Sequence, residues 1–322
     1  MTGKILILGL GLIAATDDDR PSVVVVVGTP GTPEYGAEFR RWADLWQAAA
    51  SKASAESTMI GLADEAGTTD RDRLRGFLAE KASAAGRGPL WIVLIGHGSF
   101  DGREAKFNLR GPDVTDGEFA EWLAPVRRPV AVLDCASASG TFLNRLSGGD
   151  RVVVTATRSG SEQNYSRFGQ FLAESIADPR SDLDKDSQVS LLEAYLTASN
   201  RVAEFYKSRA RLATEHAVLD DNGDKLGTPA DWFRGVRATR RAKDGASPDG
   251  VRAHQLCLVP SDRERGLTAE ARERRDQLER AVAALRDEKA KLPEDEYYRR
   301  LEPLMVELAG IYATPPPPKA GP

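Results

Sequence analysis

Short apolar runs alternate with amphipathic stretches along most of the chain. The apolar runs end in small or polar residues, which is typical of buried parallel strands. They predict strands over residues 22–27, 57–62, 91–95, 130–133, 151–156 and 253–259. Apolar positions at helical spacing predict helices over residues 34–52, 69–85, 116–123 and 165–176. Strands that alternate with helices indicate an α/β fold in which helices cover both faces of a mostly parallel sheet.

Polar and reactive side chains directly follow two of these predicted strands. His97 and Gly98 follow the strand at 91–95, and Cys135 and Ser137 follow the strand at 130–133. The carboxyl ends of parallel strands meet at one edge of a sheet, where open α/β folds bind ligands. We therefore expect the imidazole of His97 to lie near the hydroxyl of Ser137 or the thiol of Cys135. This is the arrangement of a nucleophile and its base.

The two segments resemble the caspase and legumain group of peptidases (clan CD), here as a bacterial-type member. In that group a strand ending in His-Gly is followed, roughly forty residues later, by a strand ending in the nucleophile and then Ser-Gly. The matching residues are GHG at 96–98 and SASG at 137–140, and the resemblance covers residues 22–171. It implies a caspase-like fold, peptide-bond hydrolysis, and a peptide or protein substrate.

Two alignments place the nucleophile differently. Matching Ser139 and Gly140 to the Ser-Gly of the family puts Ser137 at the nucleophile position. Matching on Cys135 instead puts Ala138 where the family has glycine. We favour Ser137. Cys135 stays an alternative because residues two apart in a strand share a face.

The residues that orient the imidazole and select the substrate do not transfer from the family. The polar orienting residue falls at Pro30, and the basic residue that helps legumains select asparagine falls at Gly36. A serine hydroxyl needs a base that a third group usually orients. Two hypotheses follow. In the first, His97 activates the nucleophile, and the backbone N–H groups of Gly98 and of the nucleophile stabilise the oxyanion. In the second, the chain is an inactive pseudopeptidase that acts as a calcium-binding interaction protein.

Residues 182–193 read DLDKDSQVSLLE and place oxygen-bearing groups at alternate positions. The ligand positions of an EF-hand calcium loop fall at Asp182, Asp184, Asp186, Gln188 (through its backbone carbonyl), Ser190 and Glu193. Ser187 stands where the loop prefers glycine. The alternative interpretation is an acidic helix N-terminus, since carboxylates there interact favourably with the helix dipole. Three acids at alternate positions and a glutamate at the twelfth exceed what capping needs, so we predict a Ca²⁺ site.

A weaker version of this loop spans residues 220–231. Lys225 in its turn and Gly227 at its apolar position favour a polar turn over a second ion site. His216, just before it, and His254 have no Cys or His partner at metal-ligand spacing. We therefore expect His216 to be a surface or capping residue and His254 to flank a strand.

The C-terminal region carries apolar residues at helical spacing among dense charges. They predict two helices, over residues 267–291 and 294–312, that form a hairpin at Pro293. Pro303 is expected to kink or delay the second helix. We expect this hairpin to pack on the main domain or to act as an arm for self-association or partner binding.

Composition bounds the remaining possibilities. The formal charge of −4 and pI near 5.6 give no overall basic field for nucleic acid. Two cysteines provide no disulfide framework, and the longest apolar run is too short to span a membrane. We predict an N-terminal segment at 1–21, an α/β domain at 22–262, the hairpin at 263–313 and a proline-rich tail at 314–322.

The N-terminal segment resembles a weak signal peptide. One lysine precedes a short apolar stretch at 5–15, and acidic residues follow it. This pattern predicts export to the periplasm or the extracellular space. The alternative is an uncleaved segment in a cytoplasmic protein.

Overall fold

The computed structural model describes residues 19–63, 67–84, 86–241 and 247–313. The apolar stretch of the predicted signal peptide and the proline-rich tail lie outside these ranges. The strands are β1 (Ser22–Val27), β2 (Glu56–Ile60), β3 (Leu90–Ile95), β4 (Gly98–Phe100), β5 (Ala105–Phe107), β6 (Val114–Thr115), β7 (Val130–Asp134), β8 (Arg151–Thr155), β9 (Val218–Asp220), β10 (Thr228–Pro229), β11 (Phe233–Arg234) and β12 (Arg237–Ala238). The helices are α1 (Pro33–Lys52), α2 (Asp70–Ser83), α3 (Asp116–Leu123), α4 (Gly140–Leu146), α5 (Phe168–Ser175), α6 (Leu191–Ser208), α7 (Val251–Gln255), α8 (Asp262–Arg265), α9 (Ala269–Glu288) and α10 (Glu294–Ala313).

Within the described residues, a seven-stranded sheet forms the centre of the α/β domain in the order β10-β9-β8-β7-β3-β1-β2. The pairs among β2, β1, β3, β7 and β8 are parallel, whereas β9 and β10 are antiparallel to their neighbours. Strand order reverses between β1 and β3. In doubly wound folds such a reversal opens a crevice at the carboxyl ends of the strands.

The sheet has a separate apolar core on each face. Alternate side chains of β1 divide between them: Val23 and Val25 pack on the side of α1, α5 and α6, and Val24 packs on the side of α2, α3 and α4. Trp42 of α1 and Phe119 of α3 are almost fully buried in these two layers. Burial of each such side chain is worth about 1.5–3 kcal/mol. The predicted fold class, a mostly parallel sheet between helices with a C-terminal helical hairpin, is confirmed.

The strand predicted over residues 253–259 is wrong. Residues 251–255 form α7, and the sheet is completed by β9 and β10 instead. The carboxylate of Asp221 accepts the backbone N–H groups of Gly250 and Ala253 at 2.9 and 2.8 Å. These bonds satisfy donors at the start of a helix, so a contact distant in sequence overrides the local apolar pattern.

The C-terminal hairpin forms as predicted, with α10 packed along α9. Helix α10 continues through Pro303. Arg275 of α9 is buried and pairs with Glu264 and with Asp276, which ties the hairpin to α8. The outer face of α10 exposes Met305, and self-association through this face stays a prediction. No helix in the described part of the chain is long and apolar enough to cross a membrane.

Candidate active site

The register of the sheet brings the ends of β3 and β7 to the same level. Leu94 pairs with Asp134, so His97 and Ser137 leave the sheet three residues further along each chain. The backbone N–H of Gly98 donates to the Ser137 hydroxyl at 3.2 Å, and that hydroxyl donates to the Gly98 carbonyl at 3.1 Å. The structure thus places Ser137 against the turn that carries His97.

Gly98 lies too close to the neighbouring turn to carry a side chain. A Cβ atom at this position would lie 2.1 Å from the carbonyl oxygen of Ser137. Glycine is therefore needed for the backbone N–H of residue 98 to reach the Ser137 hydroxyl.

The backbone of Pro30 orients the His97 ring. Nε2 of His97 lies 3.1 Å from the Pro30 carbonyl oxygen, which can only accept a hydrogen bond. A neutral ring therefore carries its hydrogen on Nε2 and its lone pair on Nδ1. The rings of Tyr35, Phe39 and Tyr165 surround it, with centroids 5.0, 5.3 and 6.1 Å from that of His97. Sequence reasoning looked for a polar side chain at position 30 and missed the main-chain carbonyl.

The Ser137 side chain is buried, with 4% of its surface exposed. Among the described residues, its hydrogen bonds go to the backbone of Gly98, and none joins it to His97. In this conformation the Ser137 hydroxyl accepts the hydrogen bond from the Gly98 N–H, which is the group expected to stabilise an oxyanion. Reaction would require the side chain to turn away from Gly98.

Cys135 lies inside the apolar layer between the sheet and α1. It is 1% exposed, and Gly169 of α5 packs directly against its Cβ atom. Burial raises the pKa of the thiol well above its ordinary value, and the neighbouring Asp134 carboxylate raises it further. A thiol in this environment remains protonated and is a poor nucleophile.

Asp134, at the last position of β7, is a buried acid beside the site. Its Oδ1 accepts the N–H of Ala136 at 3.0 Å, whereas its Oδ2 has no hydrogen-bond partner in the described part of the chain. Burial raises the pKa of this carboxyl to about 7. The turn that leads to Ser137 therefore begins at a carboxyl group that loses its proton, and becomes negatively charged, near neutral pH.

The aspartates of the predicted calcium loop converge. One carboxylate oxygen each from Asp182, Asp184 and Asp186 lie within 4.8 Å of one another. The Asp182 carboxylate accepts the N–H groups of Lys185 and Ser187, and Asp184 and Asp186 each accept the N–H two residues ahead. Lys185 and Ser187 adopt positive φ angles of 65° and 76°.

Two other predicted ligands of this loop, Ser190 and Glu193, serve the start of α6. Ser190 is the N-cap of α6, and its backbone N–H and hydroxyl both donate to Oε2 of Glu193 at 2.8 Å. The Glu193 Oε1 accepts the N–H groups of Leu183 and Asp184. Gln188 uses its side chain to bond Asp186 and Ser261. His254, expected to flank a strand, lies on α7 with Nε2 2.9 Å from Asp184.

The segment after β9 repeats the turn of the predicted calcium loop. Asp220 accepts the N–H groups three and five residues ahead, and Asn222 and Asp224 each accept the N–H two residues ahead. Positive φ angles again occur at the fourth and sixth positions, Gly223 and Lys225. The preference for a polar turn over a second ion site stays a prediction, and the match between this backbone and that of residues 182–188 was not predicted.

No protein-family model and no curated protein matches the chain. Among solved structures, it is similar to caspase-1 from Spodoptera frugiperda, with a TM-score of 0.41 and 10% sequence identity over 68% of this chain and 94% of that one. It is also similar to the Drosophila initiator caspase Dronc, with a TM-score of 0.40 and 13% identity over 66% of this chain and 83% of that one. At these scores the similarity says nothing about chemistry, which depends on the geometry of the site itself.

Proposed function

We propose that this chain is a peptidase of the caspase/legumain type, with Ser137 as nucleophile and His97 as base. The observation that carries this proposal is the contact between the two strand ends, where the N–H of Gly98 meets the Ser137 hydroxyl at 3.2 Å. The adjacent His97 ring is held by the Pro30 carbonyl in the tautomer that leaves Nδ1 basic. A nucleophile, an oriented base and a backbone donor are the parts that acyl transfer requires.

The proposed reaction begins when the Ser137 side chain turns from Gly98 toward His97. Nδ1 of His97 takes the hydroxyl proton as Oγ attacks the peptide carbonyl carbon. The freed N–H of Gly98 then donates to the carbonyl oxygen as it becomes negatively charged. His97 returns the proton to the leaving amine, and water hydrolyses the acyl-enzyme by the same sequence.

Both side chains are buried, but their surroundings favour Ser137 over Cys135 as the nucleophile. The Cys135 thiol lies within the apolar layer and its pKa is raised, so it provides little thiolate. Ser137 lies beyond the end of β7 and contacts the turn that carries His97.

Incubation with a library of denatured peptides, followed by identification of the new amino termini, tests this proposal. We expect new termini with the wild-type protein and with Cys135→Ala, and none with Ser137→Ala or His97→Ala. The control is Ser99→Ala, because the Ser99 hydroxyl bonds Asn108 rather than Gly98. Termini that persist in Ser137→Ala would refute Ser137 as the nucleophile.

The alternative function is that of an inactive, calcium-binding interaction protein. One observation favours it: the Ser137 hydroxyl is buried and bonded to both backbone groups of Gly98. Wild-type protein that produces no new termini with or without Ca²⁺, while it still melts at a Ca²⁺-dependent temperature, would establish this alternative.

We further propose that residues 182–193 bind Ca²⁺ and thereby stabilise the fold. The convergence of Asp182, Asp184 and Asp186 supports this proposal, because hard cations prefer several carboxylate oxygens. An ion that binds the folded state raises the melting temperature with its concentration. We expect Asp184→Asn to abolish most of that rise and Asp178→Asn, outside the loop, to leave it unchanged. Equal rises in both variants would refute the site.

A further inference from the structure

The turn after Ser137 contains a strained residue. Ala138 has a φ angle of 55°, a conformation that residues with a side chain rarely adopt. Such a conformation persists when surrounding contacts hold it in place. Ala138 is buried, and its N–H donates to the carbonyl oxygen of Glu162 at 2.8 Å. Glu162 therefore holds the turn immediately after Ser137.

The Glu162 side chain is fixed by two other segments. Its Oε2 accepts the backbone N–H groups of Arg158 and His216 at 3.2 and 3.1 Å. Its Oε1 lies 2.6 Å from Nδ1 of His216 and 3.2 Å from Nε of Arg158. The side chain is only 12% exposed, so solvent competes little for these bonds. The structure thus pairs His216 with a carboxylate at the carboxyl edge of the sheet.

The loop that carries Glu162 also contacts two elements next to Ser137, the helix α4 that follows it and the strand β4 that begins at Gly98. A Cβ at Gly140, the first residue of α4, would lie 2.2 Å from the backbone nitrogen of Ser159. On the other side, Gln163 donates its Nε2 to the carbonyl of Phe100 in β4 at 3.2 Å. The loop therefore touches both the Ser137 turn and the strand that begins at Gly98.

We propose that Glu162 is a positioning residue for Ser137, locked in place by His216 and Arg158. Its backbone holds the strained Ala138, and its carboxylate fixes the loop that keeps the Ser137 turn against Gly98. Glu162 transfers no proton in this role. The catalytic consequence rests on the proposed peptidase function, whereas the effect on the turn does not.

Two measurements on Glu162→Ala test the proposal. Both are made at a temperature at which all the variants are folded. Amide exchange at Ala138 should be at least tenfold faster than in the wild type. Labelling of Ser137 by a fluorophosphonate probe should be at least tenfold slower, with an unchanged pH midpoint. Glu162→Gln, which keeps two hydrogen-bonding groups, should show smaller effects of both kinds. The control is Glu174→Gln, since Glu174 of α5 pairs with Arg41 of α1 and Arg201 of α6, outside the loop that carries Glu162.

Unchanged exchange at Ala138 in Glu162→Ala would overturn the proposal. Faster exchange with unchanged labelling would overturn the catalytic part, and a shifted pH midpoint would show that Glu162 or His216 transfers protons instead. If the wild type is not labelled, the peptidase function fails and the exchange measurement alone decides whether Glu162 holds the turn. If Glu162→Ala does not fold, His216→Ala carries both measurements.

Discussion

Gly98 links backbone geometry to chemistry at the scale of a single residue. A Cβ atom there would meet the Ser137 carbonyl at 2.1 Å, and both backbones continue from paired strands of the sheet. We expect Gly98→Ala to lower the free energy of unfolding by about 1–3 kcal/mol and to abolish probe labelling of Ser137.

Gly76→Ala is the matched control for that substitution. Gly76 lies inside α2, where an added Cβ atom meets nothing within 4 Å. Alanine should therefore stabilise the helix by up to about 1 kcal/mol. In urea unfolding, the free energy of unfolding should fall in Gly98→Ala and rise in Gly76→Ala. A Gly98→Ala variant as stable as Gly76→Ala would contradict the close approach of Gly98 to the Ser137 carbonyl.

Asp134 should make stability depend on pH. Burial raises the pKa of its carboxyl from 3.8 to about 7, so the folded protein holds a proton that the unfolded chain has already released in this range. The free energy of unfolding therefore falls as the pH rises from about 4 to about 7 and is level above that. Between pH 5 and pH 8 this group alone should remove on the order of 2–3 kcal/mol.

Asp134→Asn should lack this loss. We compare the free energies of unfolding of the variant and the wild type by urea titration at each pH. The variant should gain stability relative to the wild type as the pH rises. Other buried acids, including Asp221 and Asp249 with their raised pKa values, are common to both proteins and cancel. Parallel curves for the two proteins would contradict a buried, proton-holding Asp134.

Sequence reasoning at the residue scale found the groups that follow strands and missed those that depend on long-range contacts. His97, Gly98 and Ser137 are predictable because two strand ends and their register bring them to one edge. The Pro30 carbonyl that orients His97 has no signature in side-chain chemistry. The pairing of Glu162 with His216 joins residues 54 positions apart, which no local pattern encodes.

At the scale of elements, Glu193 both caps α6 and closes the loop before it. It is 1% exposed, and its two carboxylate oxygens accept four hydrogen bonds. We expect Glu193→Ala to cost roughly 2–4 kcal/mol of stability in chelator as well as in Ca²⁺, because buried donors lose their acceptor. Thermal melts in both conditions check this. A loss confined to Ca²⁺ would show that Glu193 acts chiefly as an ion ligand.

Helices with strong local signals were predicted closely, and short elements were not. The predicted helix at 116–123 matches α3, where Thr115 and Glu118 form a capping box. The three-stranded sheet of β4, β5 and β6 was missed, since strands of two or three residues carry too little periodicity to detect. Helix α7 was mistaken for a strand because its cap comes from Asp221, far away in the sequence.

At the scale of the whole molecule, the proposed calcium loop and the candidate active site lie at opposite edges of the sheet. His97 and Ser137 follow the carboxyl ends of β3 and β7. Asp220 of β9 is paired with Val153 of β8. The turn that follows Asp220 contacts Gly148, which lies just before the amino end of β8. Helix α7 joins this turn to the proposed calcium loop, because Ala253 bonds Asp221 and His254 bonds Asp184.

This separation predicts that Ca²⁺ acts on stability rather than on chemistry. Saturating Ca²⁺ should raise the melting temperature of the wild type but change the rate of Ser137 labelling by less than about twofold well below that temperature. Labelling rates measured in EGTA and in Ca²⁺ provide the check. A tenfold change in rate would require coupling between the two edges of the sheet.

The most direct test of the central claim is to map the adduct formed with a fluorophosphonate probe by peptide mass spectrometry, alongside an iodoacetamide probe for thiols. The proposed arrangement predicts a single phosphonyl adduct on Ser137 that His97→Ala abolishes, with Cys135 unmodified in the folded protein. Rapid alkylation of Cys135 without reaction at Ser137 would contradict the assignment of the nucleophile. Absence of reaction at both residues would contradict the peptidase proposal itself.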